Sequence, residues 1–141
     1  MSFLLDTNVV SEIRRGRDPY VRAWANGVED IDLHVSVMTL GEIRKGIELL
    51  RSRDPIQAEV FANWLGELHT RFANRIVPID VAVAEEWGRL NATMPRNTVD
   101  SLIAASARVR GLTVVTRNTG DFEDCGVALI NPWQPQPEAP G

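Results

Sequence analysis

Cysteine is almost missing from this chain: Cys125 is the only one in 141 residues. That excludes an internal disulfide framework and a thiolate zinc cluster, and points to a reducing compartment. Histidine is nearly as scarce. His34 and His69 stand alone and far apart, so each reads as structural rather than as a ligand or general base. A basic excess is lacking too. Fifteen Lys and Arg meet nineteen Asp and Glu, for a net charge of −4. This argues against a protein that holds nucleic acid by bulk positive charge, though not against one that uses a bound cation beside a local basic edge. No run approaches the roughly 18 apolar residues of a membrane span. The opening Met1–Asp6 lacks the basic and apolar regions of a secretory leader. The expectation is a soluble, cytoplasmic protein without membrane partners.

What is present suits one globular domain. The length is right for a single core, and the hydrophobic (44%) and charged (24%) fractions are ordinary enough to need no staples. Short apolar or β-branched runs alternate with helical patterns. Strands are expected at Phe3–Leu5, His34–Val37, Ile76–Ile79, Thr113–Thr116 and Val127–Ile130. Helices are expected over Val9–Arg15, Pro19–Gly27, Thr39–Leu50, Pro55–Phe72, Val81–Met94 and Thr98–Arg110. In the Thr39 helix, Leu40, Ile43, Ile47 and Leu50 make one buried stripe. No hairpin turns join the strands, so the expected fold class is α/β, with helices on both faces of a mostly parallel sheet. The domain spans 1–133. Residues 134–141 form a Pro-rich tail, with Trp133 packed on the body.

In open α/β sheets, ligands sit beyond the carboxyl ends of the strands, and four acids occur at such places. Asp6 follows the first strand and reads equally as a helix N-cap. Glu42 lies early in a helix, where the macrodipole alone would favour it. Asp100 lies in the nearly apolar helix Val99–Ala105, where a carboxylate must be paired, hydrogen-bonded or metal-bound. Asp121 follows the fourth strand and suits a turn or cap as well. Asp80 reads simply as a cap. If the four converge, they cannot all remain ionised without a cation. Hard oxygen ligands without Cys or His select Mg²⁺ or Mn²⁺. Such a cluster suits metal-assisted attack of water on a phosphodiester.

The sequence resembles the PIN-domain family, and within it the VapC-type ribonuclease toxins of bacterial toxin–antitoxin pairs. Four stretches carry the resemblance, in order: Leu4–Glu12 with Asp6-Thr7-Asn8, Val35–Gly46 with Glu42, Asp100–Ala107, and Thr113–Phe122. The ending Ile130-Asn131-Pro132-Trp133 is similar to the FitB branch. The resemblance covers about Phe3 to Trp133. It implies a three-layer α/β/α fold around a central, mostly parallel sheet of about five strands. It also implies metal-dependent RNA cleavage at Asp6, Glu42, Asp100 and Asp121, which would hold Mg²⁺ or Mn²⁺. Relatives vary in placing the fourth acid at the position of Asn118 or of Asp121; here the former is an amide. Thr7, Asn8, Thr116 and Asn118 would position water or phosphate. Toxin membership implies a cognate VapB/FitA-like antitoxin, contact with DNA only through that antitoxin, and a homodimer to which the helices Pro55–Phe72 or Val81–Met94 contribute.

Arg14, Arg15 and Arg17 form the densest basic patch and read either as a solvated helix end or as contacts to RNA or antitoxin. Arg44, Lys45 and Arg117 have the same two readings. Trp24, Trp64 and Trp87 fall in helical patterns and read as core or interface, with base stacking as the functional alternative. Cys125 reads as a loop or core thiol. A dehalogenase-type phosphotransferase needs a second acid two residues after the first, and Asn8 stands there. A receiver domain needs adjacent acids and a late strand-end lysine, and neither is present. A PIN domain that binds without cutting remains the rival from another class.

Overall fold

The structure, a computed structural model, describes residues 1–137. Five strands form one sheet: β1 (Phe3–Leu5), β2 (Leu33–Ser36), β3 (Ile76–Val77), β4 (Thr113–Val115) and β5 (Leu129–Ile130). Their order is β3-β2-β1-β4-β5, and every pairing is parallel. Six α-helices connect them: α1 (Thr7–Arg15), α2 (Pro19–Asn26), α3 (Val37–Arg51), α4 (Pro55–Arg71), α5 (Val81–Thr93) and α6 (Thr98–Arg110). Two 3₁₀ segments complete the path, at Asp30–Asp32 and Thr119–Cys125.

The two-residue alternation of strands sorts the core into two layers. Phe3 and Leu5 point to one side, with Val35, Val115 and residues of α1 to α4. Leu4 points to the other, with Val114 and residues of α5 and α6. Both faces of the sheet are therefore covered, which is why its strands, Phe3–Leu5 above all, are rich in apolar residues. Phe3 meets Trp24 edge-on, with ring centroids 5.3 Å apart. Trp87 on α5 donates its indole N–H to Ser101 Oγ on α6 at 3.0 Å. The three-layer α/β/α arrangement expected from the sequence is the arrangement found.

The expected elements differ from the observed ones mainly at their ends. β2 stops at Ser36 because the Ser36 hydroxyl accepts from Met38 N–H and caps α3 two residues earlier than Thr39. β3 is cut to two residues by Pro78, which offers no N–H to a ladder. β5 keeps only Leu129–Ile130 of Val127–Ile130, because Gly126 in the left-handed region is still turning the chain. The 3₁₀ turns at Asp121 belong to no expected helix. Cys125 is buried, and Trp133 packs on the core as expected. Of the expected tail, residues 138–141 lie outside the described residues. Gln134–Pro137 are exposed, and Gln136 Nε2 donates to the carbonyls of Asn131 and Gln134 at 2.8 Å each. Among the described residues, no helix is long and apolar enough to cross a membrane.

Candidate active site

Strand register sets the site. Leu5 pairs with Val35 on one side and Val115 on the other. The next residues, Asp6, Ser36 and Thr116, therefore stand in a row along the carboxyl edge of the sheet. The chain order reverses between β1 and β4, so Asp6 and Thr116 flank the switch point where open α/β sheets bind ligands.

Asp6 fills two of its alternative readings at once. It caps α1, with Oδ1 accepting from Thr7 N–H at 2.9 Å. Its other oxygen, Oδ2, accepts from the Thr116 hydroxyl at 2.8 Å, a buried bond between residues 110 apart in the chain. Burial pushes the Asp6 carboxyl above its usual range. The hydrogen bonds from Thr116 and Thr7 oppose that shift, and the charges of Glu42 and Asp121 add to it.

The other three acids gather around it from separate elements. Glu42 is exposed on α3, and its Oε1 accepts from the Thr7 hydroxyl at 2.6 Å. Thr39, buried one turn earlier, stands 3.3 Å from the same hydroxyl. Asp100 lies in the first turn of α6, whose start is fixed by Asn97 Oδ1 accepting from Asp100 N–H at 3.1 Å. Burial, then the charges of Asp6, Asp121 and Glu42, push the Asp100 carboxyl up to about 6. Asp121 is exposed in the 3₁₀ segment after β4. That segment begins where Thr116 Oγ1 accepts from Asn118 N–H at 3.0 Å and Asn118 C=O accepts from Asp121 N–H at 3.0 Å.

None of these four acids forms an ion pair among the described residues. Nor do any three acidic, His or Cys side chains there close into a ready metal cage. The charges of Glu42 and Asp121 act on both Asp6 and Asp100, and that of Asp6 acts on Asp100, with no cation to offset them. The donor set fits a hard divalent ion: all oxygens, no sulfur, and no histidine among the charges acting on Asp6 and Asp100. Asn8 adds a second sign, because its buried Oδ1 has no hydrogen-bond partner.

The remaining predicted residues fall outside this cluster. Arg44 pairs with Glu48 at 3.5 Å on α3, and Lys45 is exposed beside it. The Arg117 guanidinium lies 5.1 Å from the Trp133 ring centroid. Arg14 lies over Phe61 and Trp64, while Arg15 and Arg17 are exposed at the end of α1. His34 is on β2, its Nδ1 3.2 Å from the Asp32 carbonyl, and His69 is exposed on α4. Trp24 is buried, and Trp64 and Trp87 pack against the two core layers. Asp80 caps α5 as expected. Two contributors escaped the sequence reading, Thr39 and Asn97. Thr39 sits three residues before Glu42, where one helical turn brings both to the same neighbour. Asn97 carries an ordinary capping signal.

Comparison with known proteins gives this geometry its context. The PIN domain family matches residues 3–127. Plasmid stability protein StbB of Pseudomonas syringae pv. tomato is 37% identical over 141 residues, with 93% of this chain and 98% of StbB covered. VapC ribonuclease Y4jK of Sinorhizobium fredii is 33% identical, covering 94% and 98%. Toxin FitB of Neisseria gonorrhoeae is 34% identical, covering 92% and 97%. Among solved structures, FitAB bound to an IR36 DNA fragment superposes with a TM-score of 0.87 at 32% identity, covering 97% of this chain and 99% of that one.

Proposed function

The chain belongs to the PIN-domain family, and from that premise we propose that it is the toxin of a toxin–antitoxin pair, an endoribonuclease that hydrolyses RNA phosphodiester bonds with Mg²⁺ or Mn²⁺. One observation supports the chemistry: at the switch point of a parallel sheet, Asp6 and Asp100 both feel the charges of Glu42 and Asp121, and none of the four has an ion-pair partner among the described residues. The relatives named VapC ribonuclease and toxin FitB support the substrate class and the biological role.

Asp6, Asp100 and Glu42 would hold the ion, with Asp121 beside them. When bound, a hard divalent ion lowers the pKa of water and stabilises charge on a phosphate. The Thr116 hydroxyl keeps Asp6 oriented and favours its ionised form. Thr7 ties Glu42 to the start of α1 and so fixes one wall of the site. Asp100, pushed up to about 6, is the acid whose proton must leave before the set is fully charged. Asn8 Oδ1 is a buried acceptor for a bound water, and Asn118 is a neutral neighbour of Asp121 for water or phosphate.

The assembly follows from the same reading. The partner is a cognate antitoxin of the VapB/FitA kind, which blocks the site and supplies the contact with DNA. The chain forms a homodimer within that complex. Exposed Ile56 and Val60 on α4 and Val81 on α5 leave apolar surface for it. The working compartment is the cytoplasm.

The test is cleavage of mixed transfer and ribosomal RNA by the purified, antitoxin-free protein in Mg²⁺, in Mn²⁺ and in EDTA, with Asp100→Asn alongside. Discrete cuts that require metal and vanish in the variant are expected. No cuts from a folded, metal-binding wild type would overturn the nuclease in favour of a non-cleaving binding module.

A further inference from the structure

Half of the fourteen arginines are matched to acids, among them Arg71 and Arg75 to Asp30, Arg89 and Arg108 to Glu86, and Arg110 to Asp80. Arg14, Arg15 and Arg53 belong to the other half. None of their guanidinium groups forms an ion pair among the described residues. All three line a trench made of two adjoining hollows between α1, α3 and α4. Its inner end, of about 400 Å³, is walled by Thr7 and Glu42 of the acidic site together with Arg53, Phe61 and Trp64. Its outer end, of about 180 Å³, is walled by Arg14, Arg15 and the same two aromatic rings. Ser11, Phe61 and Trp64 border both hollows, so the two adjoin, and Glu42 of the acidic site lines the larger one.

The trench holds a preformed stack. The Arg14 guanidinium lies 4.7 Å from the Phe61 centroid and 5.3 Å from that of Trp64. The two rings meet edge-on, with centroids 6.3 Å apart, and both pack on the core layer below. Ring and guanidinium planes are the surfaces on which unpaired bases stack, and N–H donors without a protein acceptor suit a phosphate backbone. An acidic peptide would match the arginines but leave the ring planes unused. A nucleotide strand uses both, in a protein whose net charge of −4 otherwise repels it.

Resting on the nuclease reading, we propose that single-stranded RNA reaches the acidic site along this trench, with a base on the Arg14–Phe61–Trp64 stack and backbone phosphates at Arg15 and Arg53. Phe61, Trp64 and Arg53 thereby become substrate-positioning residues, and Arg14 contributes stacking as well as charge.

The test reads binding without cleavage. Fluorescein-labelled 12-residue oligouridylate and oligoadenylate are titrated in EDTA against the full chain carrying Asp100→Asn, with anisotropy as the signal. Adding Arg14→Gln and Arg15→Gln should weaken binding at least about tenfold and reduce the magnitude of the slope of log K against log salt by about 0.7, the value for the one single-strand phosphate contact at Arg15. Trp64→Leu should weaken binding roughly 5- to 150-fold, the range for one stacked base, and Trp64→Phe should restore most of it. Arg89→Gln, on α5 and paired with Glu86, should change nothing. Circular dichroism melts identify any variant that has merely unfolded. Oligonucleotide binding equal to the parent in folded Arg14/Arg15 and Trp64 variants overturns the proposal. So does a loss of affinity for the cognate antitoxin with RNA binding intact, since the occupant is then a protein. Failure of the nuclease reading itself appears separately, as absence of metal-dependent cuts by the wild type.

Discussion

Asp30 and Asp100 are the same side chain at opposite edges of the sheet. Asp30 precedes β2 and faces two guanidinium groups, Arg71 at 2.5 Å and Arg75 at 3.3 Å. The hydrogen bond from Arg71 leads the effects that hold its carboxyl below the usual range. Asp100 stands near the carboxyl edge with no cation, and burial and three acids push it up to about 6. One edge neutralises its charge within the fold. The other keeps charge unneutralised, at a cost in stability, where on the proposed reading a cation would complete it. Local rules are broken in this way at functional sites and kept elsewhere.

Breaking the charged edge should have the largest effect. Asp100→Asn should lower RNA cleavage on the order of 10²–10³-fold, the scale for one preorganised charge at a reacting group, while circular dichroism shows a folded chain. Supplying the missing cation should stabilise that edge. Mg²⁺ or Mn²⁺ at about 100 times its dissociation constant should add about 2.7 kcal/mol to unfolding, and Asp100→Asn should shrink the resulting Tm shift. Thr116→Val keeps the shape but strips Asp6 Oδ2 of its donor. It should cost about 1–3 kcal/mol in denaturant unfolding. It should also push Asp6 further up, so that the acid limb of the cleavage profile moves to higher pH.

Two smaller effects sharpen the contrast through pH. The folded protein binds the Asp100 proton more tightly than the unfolded chain does. Without metal, its contribution to stability is therefore most favourable below pH 3.8 and declines as pH rises to about 6. Discounted for partial exposure, the decline is about 1 kcal/mol, and Asp100→Asn should flatten it in melts between pH 4 and 7. Asp30 has the opposite sign. Its pairing stabilises above the unfolded value of 3.8 and is lost as pH falls through the depressed folded value. Asp30→Asn should cost less than about 1 kcal/mol at neutral pH, because the pair is half exposed, and should leave cleavage unchanged.

The sequence showed the acids of the carboxyl edge more clearly than what holds them. Asp6, Glu42, Asp100 and Asp121 are legible because four acids recur at strand ends and nearby helix starts, where open sheets bind ligands. The fold class is legible because continuous apolar strands such as Phe3–Leu5 and Thr113–Val115 require cover on both faces. Convergence is not legible. It depends on register, on Leu5 pairing with both Val35 and Val115, and chain spacing contains nothing of that. The pairing of Arg71 and Arg75 with Asp30, about forty residues earlier, is equally long-range. Neither the Thr116–Asp6 bond nor the grouping of Arg14 with Phe61 and Trp64 has a local signature. Element ends slipped by one to three residues where a cap or a proline decided the outcome, as at Ser36 and Pro78.

The bond between Thr116 and Asp6 also bears on how such a chain is made. It joins residues 110 positions apart, and Asp121 comes later still. A chain growing from its N-terminus has Asp6 and Glu42 early but lacks the α6 carboxylate and the β4 clasp until synthesis is nearly done. The acidic edge is therefore complete only in an almost finished molecule. On the proposed nuclease reading, a fragment still being translated cannot yet cut RNA.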